Sequence, residues 1–102
     1  MTLETLKSRL ATYKEDKAKY ELLKLRSETD GERKEGLKPI EYTIKEIDIL
    51  LSALTTSEFK FIKCKYFEQM KPYDLLDELN ISEATISRHN NKILKKMLSL
   101  YN

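Results

Sequence analysis

Hydrophobic residues recur at helical spacing from the start of the chain. Residues 2–27 contain no Gly or Pro and consist largely of Leu, Lys, Glu and Ala, which are good helix formers. Their apolar stripe is formed by Leu3, Leu6, Leu10, Tyr13, Tyr20 and Leu23. Because Lys17 and Lys24 interrupt the stripe, the pattern does not indicate an isolated coiled coil. The segment is predicted to form one long helix that packs on the rest of the chain or on a second copy.

A charged segment with helix-breaking residues follows. Residues 30–39 contain both glycines of the chain and one of its two prolines, among charged side chains. Such a composition is typical of a hinge or a mobile linker. The chain is therefore predicted to divide into an amphipathic N-terminal helix over 1–29 for packing or dimerisation, a charged hinge over 30–39 and a compact domain over 40–102.

Two amphipathic helices are predicted after Pro39. In the first, apolar residues share one helical face, and the helix is expected to end near Thr55. The second begins at Thr55 or Thr56, which can cap free amide groups, with Glu58 in its first turn beside the positive end of the helix dipole. The face expected to form one wall of the core consists of Ile40, Ile44, Ile47 and Leu51, with Leu50 and Leu54 beside it. The second helix is broadly apolar through Phe59, Ile62, Cys64, Tyr66 and Phe67.

A short helix, a tight turn and a longer helix complete the pattern. Pro72 suits the first turn of the short helix, predicted over Pro72–Leu79. Asn80 tolerates the left-handed conformation that ends many helices, and Ser82 is expected to cap a last helix reaching about Tyr101. The apolar residues of these two helices are Leu75, Leu76, Leu79, Ile86, Ile93, Leu94, Met97 and Leu100. The predicted fold is all-α, with a long N-terminal helix and a compact helix-turn-helix domain, about five helices in total.

The front of the last helix carries small polar residues where long paired charges are more usual. In a helix-turn-helix unit, the second helix presents these residues to base edges in the DNA major groove. A groove about 12 Å wide admits a slender helix front that can form hydrogen bonds. The candidate base-reading residues are Glu83 for cytosine, Ala84 for a thymine methyl group, Thr85 and Ser87 for bases or phosphates, and Arg88 for guanine.

Positive charge is concentrated at the same end of the chain. The net charge is only +2, which alone neither favours nor opposes a polyanionic partner. Residues 82–102 contain four basic side chains, Arg88, Lys92, Lys95 and Lys96, but a single acidic one, Glu83. The residues expected to contact DNA phosphates are Lys71, Asn91, Lys92 and Lys95.

Other classes of function are not favoured by the composition. Cys64 is the single cysteine and His89 the single histidine, whereas metal sites normally need three or four ligands, so we expect no metal and no cofactor. The acidic residues of the short helix have no base or nucleophile arranged beside them, so an enzyme is not predicted. The lone cysteine and the charged N-terminus indicate a cytoplasmic protein, and no apolar segment approaches the ~20 residues of a membrane span.

Several motifs carry a resemblance to a known family. They are KYFEQ, LLDELNIS, TISR and ILKKML, within residues 54–100. Their order resembles region 4 of the sigma-70 class of bacterial sigma factors. With its small size and lysine-rich N-terminal helix, the chain is also similar to the ArpU/RinA-like regulators of late transcription in phages of Gram-positive bacteria.

The resemblance implies a sequence-specific transcription regulator that binds double-stranded DNA in a bacterial host and can meet RNA polymerase. It places base-reading positions at Glu83, Ala84, Ser87 and Arg88, and backbone contacts near Lys71, Tyr73 and Lys92. The chain departs from the family pattern at Leu76, Asn80, His89 and Asn90.

An alternative function stays open at this point. The same fold can serve as a protein-interaction module that docks on RNA polymerase or a repressor without binding DNA. Salt dependence separates these two hypotheses, because a DNA-binding module should lose affinity steeply as salt rises. A plain helical bundle that happens to contain a tight turn is a further alternative, and charge placement tests it, because a DNA-binding module needs a basic surface over 82–96 free of apolar neighbours. In a plain helical bundle, that surface would be partly covered. We also expect the N-terminal helix to form a homodimer, since two half-sites multiply affinity.

Overall fold

The residues that the structure describes form helices joined by short turns, with no β-strand among them. The computed structural model describes residues 1–30 and 37–102, with the side chains of 27–30 excepted. Its elements are α1 (Leu3–Asp30), α2 (Leu37–Ser52), α3 (Thr56–Ile62), a π-helical segment (Lys63–Phe67), α4 (Pro72–Leu79) and α5 (Glu83–Tyr101). The predicted all-α class and the long N-terminal helix are confirmed. No helix in these two ranges is long and apolar enough to cross a bilayer.

The predicted boundaries differ from the observed ones mainly around α2. Residues 31–36 of the predicted hinge lie outside the described residues, and α2 begins at Leu37. Pro39 is therefore inside the first turn of α2, where its missing N–H costs nothing. The same helix ends at Ser52, before the predicted Thr55, because Thr55 adopts an extended conformation as the N-cap of α3.

The N-terminal helix packs on its own chain. Leu6 and Leu10 have no exposed surface and belong to the same apolar cluster as α2, α3 and α5. Two polar contacts add to this packing: Arg9 donates to Glu46 at 2.7 Å, and the Tyr13 hydroxyl donates to Asp48. Of the two outcomes expected for the stripe, the structure therefore shows packing within the chain at Leu6 and Leu10, whereas Leu3 is 39% exposed.

The core contains most of the predicted apolar residues, with two exceptions. It is centred on Leu6, Leu10, Ile47, Leu50, Leu51, Phe61, Ile62, Ile93, Leu94 and Met97. Phe59 belongs to the apolar residues of the second predicted helix but is 40% exposed, because Phe61 and Ile62 occupy the core-facing side of α3. Leu100 is 56% exposed, since the last turn of α5, with Tyr101 also exposed, lies at the edge of the core.

A capping box starts α3 and also links it to α5. The Thr55 hydroxyl accepts from the Glu58 amide at 3.2 Å, and Glu58 Oε1 accepts from the Thr55 amide at 2.9 Å. The same carboxylate accepts from Lys96 Nζ at 2.8 Å. This arrangement lowers the pKa of Glu58, chiefly through the hydrogen bond from Lys96 and then that from the Thr55 backbone.

Candidate nucleic-acid interface

The turn between α4 and α5 has the left-handed residue that the sequence predicts. Asn80 has φ 52° and ψ 49°, and its amide donates to the Asp77 carbonyl at 3.3 Å. The Ile81 amide donates to the Leu76 carbonyl, also at 3.3 Å, which completes a Schellman motif. Because this motif reverses the chain within three residues, α5 begins close to the end of α4.

Ser82 starts α5 as the predicted N-cap. Its hydroxyl accepts from the Thr85 amide at 3.3 Å and lies 2.8 Å from the Thr85 hydroxyl. The Thr85 hydroxyl in turn accepts from Arg88 Nη2 at 3.4 Å. A chain of contacts therefore leads from the cap to the guanidinium group. Thr85 itself is half-buried, whereas Ser82 and Arg88 are exposed.

One side of α5 faces away from the core and is exposed along its length. Positions 84, 88, 91 and 95 follow a spacing of four, three and four, which keeps side chains on one helical face. All are exposed, as is Lys92 beside them. We call this surface the α5 outer face; it consists of Ala84, Arg88, Asn91, Lys92 and Lys95. The opposite side packs in the core through Ile93, Leu94 and Met97.

The α5 outer face is positively charged and lacks large apolar groups. Within residues 82–96, all of which the structure describes, no large hydrophobic side chain is exposed. Lys96 is engaged by Glu58, but Arg88, Lys92 and Lys95 have no carboxylate within 4.0 Å among the described residues. Three cations therefore remain available to an external anion.

The other predicted contact residues lie at the beginning of the two helices. Glu83 and Ser87 are exposed in the first turns of α5. Lys71 is the N-cap of α4 in an extended conformation, and Tyr73 in the first turn is 77% exposed. The candidate base-reading residues thus lie together on the first turns of α5, where Thr85 is half-buried. Lys71 and Tyr73 lie at the start of the preceding helix, α4.

A polar contact behind α5 could not be predicted from the sequence. The Tyr66 hydroxyl donates to Asn90 Oδ1 at 2.7 Å, and the His89 ring lies edge-on to Phe61, with ring centroids 6.1 Å apart. These contacts give the polar side chains of Asn90 and His89 partners within the chain. No sequence motif predicts the Tyr66 contact, because the direction of the Tyr66 side chain depends on the π-helical segment.

The remaining reactive groups do not gather into a second site. Cys64 is buried, which raises the pKa of its thiol. Among the described residues, no group of three His, Cys, Asp or Glu side chains is placed to hold a metal ion. A groove of about 470 Å³ lies between α1 and the π-helical segment, with Tyr13, Phe59 and Phe67 among its lining residues.

Comparisons with models of protein families, with curated proteins and with solved structures find no match to this chain. The candidate interface is therefore described only from structural features of this chain. Its features are the left-handed turn at Asn80, the cap at Ser82 and the exposed basic face of the following helix.

Proposed function

We propose that this protein is a sequence-specific double-stranded DNA-binding regulator of transcription that inserts α5 into the major groove. The observation that carries the proposal is the α5 outer face, which is exposed, basic and free of large apolar side chains over 82–96. Its position directly after a short helix and a three-residue turn is the geometry in which such units dock on DNA.

Base recognition is assigned to the first two turns of α5. Arg88 is suited to guanine, because its planar group can donate two parallel hydrogen bonds to O6 and N7. Ala84 lies one turn earlier on the same face and fits a thymine methyl group, while Glu83 and Ser87 flank it. Thr85 contributes in a different way if its hydroxyl keeps its contact with Arg88, since it then orients the guanidinium group.

Phosphate contacts are assigned to residues around this front. Asn91, Lys92 and Lys95 continue the α5 outer face away from the cap, and Lys71 and Tyr73 are exposed at the start of α4. Such contacts fix the position of the protein on the duplex and supply affinity that falls with salt. Each phosphate neutralised steepens the dependence of log affinity on log salt by about 0.9.

Partners beyond DNA belong to the same proposal. The motifs shared with sigma region 4 and with small phage regulators support a role in the cytoplasm of a bacterial host, with RNA polymerase as a further partner. A homodimer would use the outer side of α1, because its main stripe already packs on its own chain. Leu22 of α1 does not line the aromatic groove and is 56% exposed.

The decisive experiment is selection of bound duplexes from a random pool, followed by footprinting and a salt titration. We expect an enriched sequence motif, protection of major-groove positions and a steep loss of affinity as salt rises. Purified protein that binds no duplex at low ionic strength would end the proposal. Binding without any enriched motif would leave only non-specific association and would contradict base reading.

The aromatic groove favours a second candidate function. A pocket lined by Tyr13, Phe59 and Phe67 can take an apolar side chain from RNA polymerase or a repressor. In that case, the chain would dock on its partner without holding DNA. Loss of polymerase binding in a Phe59→Asp variant, together with no DNA binding by the wild-type protein, would establish this alternative.

A further inference from the structure

A partly buried hydrogen bond joins the π-helical segment to the inner side of α5. The Tyr66 hydroxyl and Asn90 Oδ1 are 2.7 Å apart, and both side chains are half-buried. A tyrosine hydroxyl is protonated at neutral pH and can donate, and burial raises the pKa of Tyr66 further. Unlike an apolar contact, this bond is strong only within a narrow range of distance and angle.

The chain reaches α5 at this point through an unusual local conformation. Residues Lys63–Phe67 form a π-helical turn directly after α3. Such turns are rare and frequently occur at functional sites, because the extra residue changes the direction of the side chains that follow. Here Cys64 is buried in the domain while Tyr66 extends to α5.

Asn90 is placed where a contact can control the direction of Arg88. The two residues are separated by roughly 200° around the helix, so they lie on nearly opposite sides of α5. Among the described residues, the side-chain hydrogen bond from α5 to α3 joins Lys96 and Glu58, further from the front of α5. The Tyr66–Asn90 bond is therefore the one closest to the base-reading turns.

We propose that Tyr66 and Asn90 are positioning residues, which fix the rotation of α5 so that Arg88 meets base edges at the correct angle. This inference rests on the proposed DNA binding. A helix that must be ordered on binding loses affinity, and bidentate contacts tolerate less misalignment than phosphate contacts. Loss of the bond should therefore reduce specific binding more than non-specific binding.

The test compares Tyr66→Phe with Tyr42→Phe. Tyr42 is 67% exposed on α2 and provides a matched change outside the interface. We expect Tyr66→Phe to lower affinity for the selected duplex by about three- to ten-fold, with little change on random duplex. In an Arg88→Ala background, the same change should have little further effect, because the contact it aligns is already lost. Equal losses on both duplexes, or full additivity with Arg88→Ala, would refute the positioning role.

A measurement without DNA separates this inference from the proposed function. In the free protein, Tyr66→Phe should shift the backbone amide resonances of residues 83–88 in addition to those around Tyr66 and Asn90, because a rotation of α5 changes the surroundings of its first two turns. Shifts confined to the surroundings of 66 and 90 would overturn the inference. If the wild-type protein binds no duplex, the proposed function fails, and the amide shifts alone decide whether this bond orients α5.

Discussion

Arg88 combines exposure, a fixed neighbour and a shape suited to one base. Its guanidinium group lies on the α5 outer face and contacts the Thr85 hydroxyl at 3.4 Å. A weak contact of this length restricts the side chain without consuming its remaining donors. Most N–H donors of the Arg88 guanidinium group therefore remain available to a base.

Substitution of Arg88 by Ala should separate base reading from general attraction. We expect a loss of roughly 1 to 3 kcal/mol on the selected duplex and little change on random duplex, because the bidentate pair carries sequence information. Competition binding against both duplexes measures the difference. Lys92→Ala is the control, since loss of a phosphate contact should weaken binding to all sequences and reduce the salt slope by about one. A uniform loss for Arg88→Ala would assign that residue to the phosphates.

Glu58 is expected to give the protein an acid-sensitive contribution to stability. Its pKa is lowered by the hydrogen bonds from Lys96 and the Thr55 backbone, so the carboxylate binds its proton less readily in the folded state than in the unfolded state. The stabilisation is therefore fully present above the usual pKa of 4.5 and is lost as the pH falls through the folded value.

The variant Glu58→Gln isolates this charge, because glutamine can keep the capping box with Thr55. We expect the variant to have a lower Tm than the wild type at pH 7, with the difference shrinking toward pH 3. Thermal melts across this range provide the measurement. A gap that stays constant with pH would show that the carboxylate charge contributes nothing.

At the scale of elements, the turn between α4 and α5 depends on the conformation of one residue. Asn80 adopts the left-handed region, which costs most residues with a Cβ roughly 1 to 2 kcal/mol. Asparagine lowers that cost through its short polar side chain, and glycine removes it. The orientation of α5 on α4 thus begins with a local backbone preference.

Asn80→Ala should destabilise the protein by about 1 kcal/mol, whereas Asn80→Gly should leave its stability equal or slightly higher. Chemical denaturation of both variants gives the comparison. If alanine and glycine behaved alike, the left-handed turn would not exist in solution. The matched pair also keeps the α5 outer face unchanged, so DNA binding can be followed in the same proteins.

The sequence predicts these elements with unequal success, for physical reasons. Helix ends were predictable where a local preference sets them, through side-chain caps at Thr55 and Ser82 and through the left-handed backbone conformation of Asn80. The π-helical segment was not predictable, since no residue between Lys63 and Phe67 breaks a helix and the extra residue of the turn depends on tertiary packing.

The candidate interface shows the same division. Exposure of Ala84, Arg88 and Lys95 follows from helical periodicity, which places them opposite the apolar residues of α5. The partial burial of Thr85 and the bond between Tyr66 and Asn90 depend on residues distant in sequence or on the exact cap geometry. Helical periodicity alone therefore predicts neither the burial of Thr85 nor the Tyr66–Asn90 bond.

At the scale of the whole molecule, the first turns of α1 belong to the core, and the rest of the helix extends beyond it. The molecule measures 51 × 30 × 22 Å, and α1 alone, with its 28 residues, spans about 42 Å at 1.5 Å per residue. Its first turns supply Leu6 and Leu10 to the centre of the domain. Any partner bound along its distal half would therefore be rigidly connected to the helix-turn-helix unit.

Leu10→Ala should reveal how strongly the domain depends on α1. Because Leu10 has no exposed surface, we expect a loss of about 2 to 5 kcal/mol from removed apolar contacts and the cavity left behind. Leu100→Ala is the matched control, since a leucine that is 56% exposed should cost well under 1 kcal/mol. Urea denaturation monitored by far-UV circular dichroism measures both. A Leu10→Ala variant as stable as the wild type would mean that α1 is detached from the domain in solution, and that a partner held by α1 could move independently of the DNA-facing helix.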